Sequence, residues 1–423
     1  MNIVPLFAFA TLLSFGFVER GWAQQQLTPA WVETGENGAV VARVVIAAPG
    51  DCPSITIDGV AGAMTERVPV PSGFQPACEA QIPRSARSAR LGSQILKLPK
   101  ANPSRIVALG DTGCRIKVSK EASEVQDCKD PAQWPFLQIA ALAARQKPDL
   151  VIHVGDYLYR ESKCPANQQA FCGDSPEGDN WEAWNADFFT PAAKLLAAAP
   201  WALSRGNHES CARSWRGWFY YLDPRPWSAQ CEQYSAPYEV KLGSFELIML
   251  DSSETSEDAL VDKQVSIFTK QLSSLHATDA WLVDHHPFWG FKENPEGGAP
   301  VPLAAPLQEA WDRTWPKGIK MILSGHVHLF ELISLDHGRP VQVVAGDGGT
   351  LLSEKLQASA NGTVIHGAQI ASSVVASKSQ NEFGFTVFTR SRKGWRLTLK
   401  DRFDHTLAAC SILDTRATCG GSS

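Results

Sequence analysis

Five short clusters of oxygen and nitrogen donors recur along this chain, each following a short apolar run: Gly110-Asp111-Thr112-Gly113, Gly155-Asp156-Tyr157-Leu158-Tyr159, Gly206-Asn207-His208-Glu209, Asp284-His285-His286-Pro287 and Gly325-His326-Val327-His328. Together they hold carboxylates, two phenols, an amide and imidazoles, enough donors for two metal ions. Carboxylate and phenolate oxygens suit a hard trivalent cation such as ferric iron, whereas imidazoles and an amide oxygen suit Zn, Mn or Fe in the divalent state. Two cations about 3.5–4 Å apart can polarise a bound phosphate, turn a water into hydroxide and stabilise the leaving oxygen of an in-line displacement. A single Gly-Asp dipeptide would carry no information. Five such clusters in one chain do, and Asp156 stands at their centre.

The elements that must position these residues read as alternating strands and helices from Ser104 onward. Arg105 to Leu109 is an apolar strand, Asp130-Pro131 opens a periodic helix over 134–145, and Lys147-Pro148 stops it before the Val151 strand. An N-cap carboxylate followed by proline is a helix start, because proline's missing N–H is one of the unpaired donors of the first turn. Strand, helix, strand implies a parallel pair with both Gly-Asp turns on one edge, where open α/β sheets place their ligands. Further strands are expected at 201–203, 245–250, 280–283, 320–323 and 341–345, with helices at 261–276 and 306–315 and a hairpin of 385–389 with 395–399. A helix is expected over 180–199 with a break at Pro191. Its Trp181, Trp184 and Phe188 have core spacing. His153 inside its strand, and Phe288 and Trp289 after the His285 turn, are read as packing residues.

Length and composition set the frame. A chain of 423 residues exceeds what one hydrophobic core normally serves, so two domains are expected. The formal net charge of −5 offers no footprint for a polyanion, and nucleic acid is not an expected partner. Residues 1–23 read as a secretory signal, apolar from Ile3 to Val18 and ending in Gly21-Trp22-Ala23. No later stretch approaches the ~18 apolar residues of a membrane span. Ten cysteines fall into five near-neighbour couples, Cys52/Cys78, Cys114/Cys128, Cys164/Cys172, Cys211/Cys231 and Cys410/Cys419, and fit an exported protein closed by short disulfide loops. No CxxC pair occurs, so thiolate metal ligands are not expected. Residues 24–103 hold short runs rich in Val, Ile and Thr between turn residues and read as a small β-rich, sandwich-like domain with a linker at 99–103. Residues 104–423 form the second domain.

In order and in content, the five clusters resemble the calcineurin-like metallophosphoesterases, and specifically the purple acid phosphatases, whose signature is GDxG, GDxxY, GNH[DE], a His shortly before Pro, and GHxH. The resemblance spans about 104–399. It implies a four-layer α/β/β/α sandwich with the metals at the strand ends. One metal, ferric iron, would take Asp111, Asp156, Tyr159 and His328. The other, Zn, Fe(II) or Mn(II), would take Asp156, Asn207, His285 and His326, so that Asp156 bridges. His208 matches the family's proton donor to the leaving alkoxide, a task suited to a group whose reference pKa is near 6.5. His286 is assigned to substrate contact, with packing as the competing role. Thr112 and Cys114 depart from the family pattern beside the first metal and bear on pocket shape.

The reading that follows is a periplasmic or secreted binuclear metal phosphatase that hydrolyses small phosphomonoesters through a metal-generated hydroxide. A phosphodiesterase on the same metals is the alternative, and a catalytically silent protein on this scaffold is the rival from another class. No membrane association is expected once the signal is removed.

Overall fold

The computed structural model describes residues 26–119, 123–257, 259–294, 301–354, 360–365, 367–375 and 382–420. The expected signal, 1–23, lies outside them. Among the described residues two large sheets pack face to face. The first runs, edge to edge, Arg416–Cys419, Thr406–Leu413, Gly394–Asp401, Gly384–Ser391, Arg105–Leu109, Leu150–His153, Trp201–Leu203, Trp31–Thr34, Val40–Val45, Ala77–Gln81 and Thr65–Glu66. The second runs Tyr238–Leu242, Phe245–Met249, Ala280–Val283, Ile319–Ser324, Val341–Ala345, Phe330–Leu335, Ala368–Val375 and Val364–Ile365.

Strand periodicity divides the side chains between layers. In Arg105–Leu109, Ile106 and Ala108 face the second sheet and join Leu247, Val283 and Leu323 in the core between the sheets. Val107 and Leu109 point the other way, into a cluster with Ile139, Trp184, Phe188 and Leu195. That alternation is the period of two of a pleated strand, and both faces being apolar marks a strand buried on both sides. The helices Phe136–Arg145 and Thr190–Leu196 cover the outer face of the first sheet; Asp262–Ser273 and Ala305–Thr314 cover the second through Phe268, Leu307 and Trp311. The result is the α/β/β/α sandwich. Trp181, Trp184 and Phe188 are buried core residues, as their spacing implied, and so are Phe288 and Trp289, read as packing residues.

Three features differ from the sequence expectation. Pro191 does not break its helix. The chain runs helically from Trp181–Trp184 through a π turn, Asn185–Phe189, into Thr190–Leu196, and the wider turn bonds the Thr190 N–H to the Asn185 carbonyl. A proline just beyond such a turn sits where a missing N–H costs little. Secondly, Trp31–Thr34 pairs in parallel with Trp201–Leu203, with Glu33 opposite Trp201, so part of the N-terminal stretch prolongs the first sheet. Val40–Val45, Ala77–Gln81 and Thr65–Glu66 continue that edge, and Val60–Ala63, Ser54–Ile57, Ala89–Leu91 and Gln94–Leu96 form a four-stranded sheet that shares an apolar cluster with it through Val32, Ala42 and Val44. Thirdly, a hairpin of Ile116–Val118 and Ser123–Val125 follows the first donor cluster. All ten cysteines pair, in the five near-neighbour couples. No helix among the described residues is long and apolar enough to cross a membrane.

Candidate metal centre

Parallel pairing brings the carboxyl ends of the central strands to one edge. Arg105–Leu109 and Leu150–His153 are parallel neighbours, as are Leu150–His153 and Trp201–Leu203. Ala280–Val283 and Ile319–Ser324 are parallel in the facing sheet. All five donor clusters leave those ends. Asp111, Asp156 and His326 each follow a glycine and each adopt left-handed backbone, with φ of 55°, 60° and 71°. That conformation costs an L-residue about 1–2 kcal/mol and recurs at functional sites, where the surrounding packing holds it. The glycines leave room for the neighbouring side chains. A Cβ on Gly206 would stand 2.0 Å from Asp156 Oδ1, and one on Gly325 would stand 2.5 Å from Asp111 Oδ2.

The seven expected ligands converge in two overlapping sets. In the first, Tyr159 Oη lies 3.0 Å from Asp111 Oδ1, 2.8 Å from Asp156 Oδ2 and 2.9 Å from His328 Nε2. In the second, Asn207 Oδ1 lies 2.9 Å from His285 Nε2 and 3.2 Å from His326 Nδ1, while His285 Nε2 is 3.3 Å from Asp156 Oδ2. Asp156 Oδ2 belongs to both. Ligands at about 2.1 Å from one octahedral ion are about 3 Å from one another, so these spacings match the edges of two coordination shells sharing a corner.

The donors' lone pairs outnumber the hydrogens available to them. The Tyr159 hydroxyl has one hydrogen, yet two carboxylate oxygens and an imidazole nitrogen surround it. His328 Nδ1 is 2.8 Å from the Leu351 carbonyl and His285 Nδ1 is 2.8 Å from the Val154 carbonyl, so each ring donates there and turns the lone pair of Nε2 inward. His326 instead turns Nδ1 inward, with Nε2 3.2 Å from Glu257. An outer N–H held by a carbonyl or carboxylate is the usual support of a metal-bound imidazole. Asn207 presents its oxygen to two such nitrogens; reversed, its NH2 would face them and Asp156 Oδ2, with the oxygen toward Arg213. A cation in each set satisfies every one of these lone pairs. The donor chemistry therefore fits two metals.

The protein alone leaves these charges poorly matched. Burial pushes the Asp111 carboxyl well up, with Asp156 adding to the effect against the opposing pull of His285. Burial opposes charge on His285 too, but Asp156 and Asp111 outweigh it and push the imidazole up to about 10. Removal from water, with the Arg115 charge alongside, pushes His328 down to about 3. Burial, then Asp111 and Asp156, push the Tyr159 phenol far above its ordinary range, so only a strongly charged cation would ionise it.

Two carboxylates that the sequence reading gave no role hold the turns in place. Glu209 accepts the N–H groups of Asp156 at 3.1 Å, Tyr157 at 2.9 Å, Leu158 at 3.1 Å and Gly206 at 3.2 Å. Asp187, on the π turn, accepts those of Cys114, Tyr159 and Arg160 and pairs with the Arg160 guanidinium at 2.6 Å. The Glu of Gly-Asn-His-Glu was visible as part of a motif; Asp187 carried no signal at all.

His208 lines a cavity of about 240 Å³ above the two sets, together with Arg115, Lys117, Arg213, Glu257 and Lys292. Its N–H donates to Asp156 Oδ1 at 2.8 Å, and its ring lies 3.8 Å, centroid to centroid, from that of Tyr159. Burial, opposed by Asp156, lowers its pKa below the ordinary value. His286 is buried behind the cavity lining, its ring 4.1 Å from that of His326, and its donor atom groups with those of Glu257 and His326. His153 is a buried residue, stacked on Tyr157 and bonded to Thr112 Oγ1 at 3.1 Å.

The calcineurin-like phosphoesterase family model matches residues 104–330, more than half of the chain. No curated protein matches by sequence. Among solved structures, purple acid phosphatase PPD1 from yellow lupin (Lupinus luteus) seeds superposes with a TM-score of 0.56 at 14% identity, over 95% of this chain and 78% of that one. PhoD superposes with a TM-score of 0.55 at 11% identity, over 93% of this chain and 92% of that one. At those identities the likeness is one of fold. The family-model match, over strands whose ends carry two overlapping metal-donor sets, shows that the chain belongs to the calcineurin-like phosphoesterase family, hydrolases built around a binuclear metal centre.

Proposed function

We propose that this chain is an exported, purple acid phosphatase-like enzyme that hydrolyses phosphomonoesters at acid to neutral pH. The observation that carries the reading is the shared corner: Asp156 Oδ2 stands 2.8 Å from Tyr159 Oη and 3.3 Å from His285 Nε2, at the floor of a cavity walled by cationic side chains. Asp111, Asp156, Tyr159 and His328 would hold a ferric ion, and Asp156, Asn207, His285 and His326 a Zn, Fe(II) or Mn(II) ion. Bound there, the pair supplies Lewis acidity toward a phosphoryl oxygen and a water acidified for attack.

The chain's own groups do the rest. Asp156, with both oxygens engaged, fixes the spacing of the two sets and offsets their charge. Glu209 and Asp187 keep the turns rigid. His208 faces the cavity with Nε2, and from that atom it delivers a proton to the leaving alkoxide. Nδ1, 3.1 Å from the Leu158 carbonyl and 3.1 Å from Glu161 Oε1, fixes the ring for that task. Export is supported by the apolar leader in the sequence and by the five disulfides. Residues 24–103 are read as an accessory β-rich part preceding the catalytic domain.

Two measurements test this. Metal analysis after metal-replete expression should find two metals per chain; fewer than one sinks the binuclear centre. Paired assays with p-nitrophenyl phosphate and bis(p-nitrophenyl) phosphate should show the monoester turned over faster, and the reverse order would make the enzyme a diesterase. His208→Ala should keep both metals and slow poor leaving groups by about 10²–10⁴, with nitrophenyl esters less affected; an equal loss for both removes His208 as the acid.

A further inference from the structure

Two arginines line the cavity, and the sequence motifs give neither a task. Arg115 Nη1 lies 3.2 Å and Arg213 Nη2 3.1 Å from the same atom, His208 Nε2. Neither guanidinium is free to wander. Glu124 Oε2 takes Nε and Nη2 of Arg115 at 2.8 and 2.7 Å, and Glu161 Oε1 takes Nε of Arg213 at 2.6 Å. Glu161 also pairs with Arg213 Nη2, and Arg213 Nη1 donates to the Asn207 carbonyl at 3.3 Å, so both guanidiniums are held where they line the cavity. Arg115 also lies over the Tyr159 ring, 5.3 Å from its centroid. The loops are closed as well: Cys114–Cys128 encloses both Arg115 and Glu124, and Cys211–Cys231 encloses Arg213.

Such an arrangement is incomplete as it stands. With the ring neutral, Nδ1 donates to the acceptors on its side and Nε2 keeps one lone pair, too few for two guanidiniums; with Nε2 protonated for transfer to the leaving group, it accepts from neither. Two like charges drawn to one neutral atom also repel each other. An anion with several oxygens resolves both problems, and the planar fork of arginine matches phosphate oxygens in geometry. Lys117, two residues past Arg115, and Lys292 add positive potential along the same wall.

We propose that Arg115 and Arg213 form a braced clamp on the unesterified oxygens of the substrate phosphoryl group, and that this clamp selects monoesters over diesters. The proposal rests on the phosphatase reading above. A monoester brings three unesterified oxygens and, near neutrality, about two negative charges; a diester brings two oxygens and one charge. The clamp rewards the extra oxygen and the extra charge. Glu124 and Glu161 are positioning residues, acting through the arginines.

The experiment uses metal-loaded protein and inorganic phosphate as the probe. Arg115→Met, Arg213→Met, the double variant and the two Arg→Lys variants are compared with the parent. Readouts are metal content, thermal melting, phosphate affinity by calorimetry, and the ratio of kcat/KM for p-nitrophenyl phosphate to that for bis(p-nitrophenyl) phosphate. The clamp predicts unchanged metal content and melting. Phosphate Kd should rise about tenfold to a hundredfold for each arginine lost, the range of charge-assisted hydrogen bonds. The monoester-to-diester ratio should fall in step, with partial recovery in the Lys variants. A double variant that keeps two metals, the parent's phosphate Kd and the parent's ratio overturns the proposal. If a Met variant sheds metal, Glu124→Gln decides: weaker phosphate binding supports the clamp and an unchanged Kd overturns it. Failure of the phosphatase reading shows separately. A parent that hydrolyses no monoester yet binds phosphate through both arginines loses the function and keeps the clamp.

Discussion

Asp187 Oδ2 accepts the backbone N–H of Tyr159 at 2.8 Å across 28 residues of sequence. The same carboxylate takes Cys114 N–H at 3.0 Å and the Arg160 guanidinium at 2.6 Å, so one buried side chain ties together the loops after the first and second donor clusters. The π turn at Asn185–Phe189 places it there.

Asp187→Ala should therefore damage stability and the site together. Leaving the Arg160 guanidinium buried and unpaired costs about 3–5 kcal/mol, and three N–H groups lose their acceptor. The expected outcome is a lower denaturation midpoint and poorer metal retention at the Tyr159 set, read by urea unfolding and metal analysis. Wild-type values in both would show that Asp187 does not hold these loops.

Tyr159→Phe keeps the ring against His208 and removes one oxygen donor. If ferric iron sits in the set of Asp111, Asp156 and His328, the parent should show a visible phenolate charge-transfer band, and the variant should be bleached with iron partly retained. A parent that holds ferric iron without such a band, or a variant whose band is unchanged, takes Tyr159 off the ligand list.

Gly206→Ala should abolish the site without any change of charge. The new methyl would stand 2.0 Å from Asp156 Oδ1 and 2.2 Å from Asp156 N, whereas a Cβ on Gly62 meets nothing within 4 Å. Gly206→Ala is expected to lose at least one metal and nearly all turnover, with Gly62→Ala at the parent's level. Equal metal content in the two variants would remove the close approach as the reason for glycine.

A carboxylate remote from the site makes the fold acid-sensitive. Burial works against charge on Asp149, but Lys100 and the Ser104 and Arg105 N–H donors outweigh it and hold the carboxyl down to about 2. Its folded pKa lies below the unfolded value near 3.9. The stabilisation is therefore present above about pH 4 and lost as pH falls through about 2. Asp149→Asn should be less stable at neutral pH and lose less between those limits. Parallel acid-unfolding curves would contradict this.

Much of the fold was legible because its signals are local. Apolar runs ending in Gly-Asp, Gly-Asn or Gly-His and the near-neighbour cysteines each depend on a few adjacent residues, whereas the helix start read at Asp130-Pro131 is a turn and the helix begins at Phe136. The seven expected ligands share that property, since each follows a strand end, in four of the five clusters through a glycine. The break assigned to Pro191 failed because the π turn shifts the hydrogen-bond register before the proline.

By itself the sequence determined the donor types, their order and the strands that carry them. Tertiary structure decided the rest: that Asp156 Oδ2 is the shared atom, that His285 meets Asp156 and Asn207 while its neighbour His286 groups with His326 and Glu257, and that Trp31–Thr34 extends the first sheet. It also brought Asp187, Glu209, Arg115 and Arg213 to the centre. The reason is physical. A lone carboxylate or guanidinium looks the same in sequence whether it faces water or a buried N–H, because its partner is chosen by packing between segments far apart in the chain.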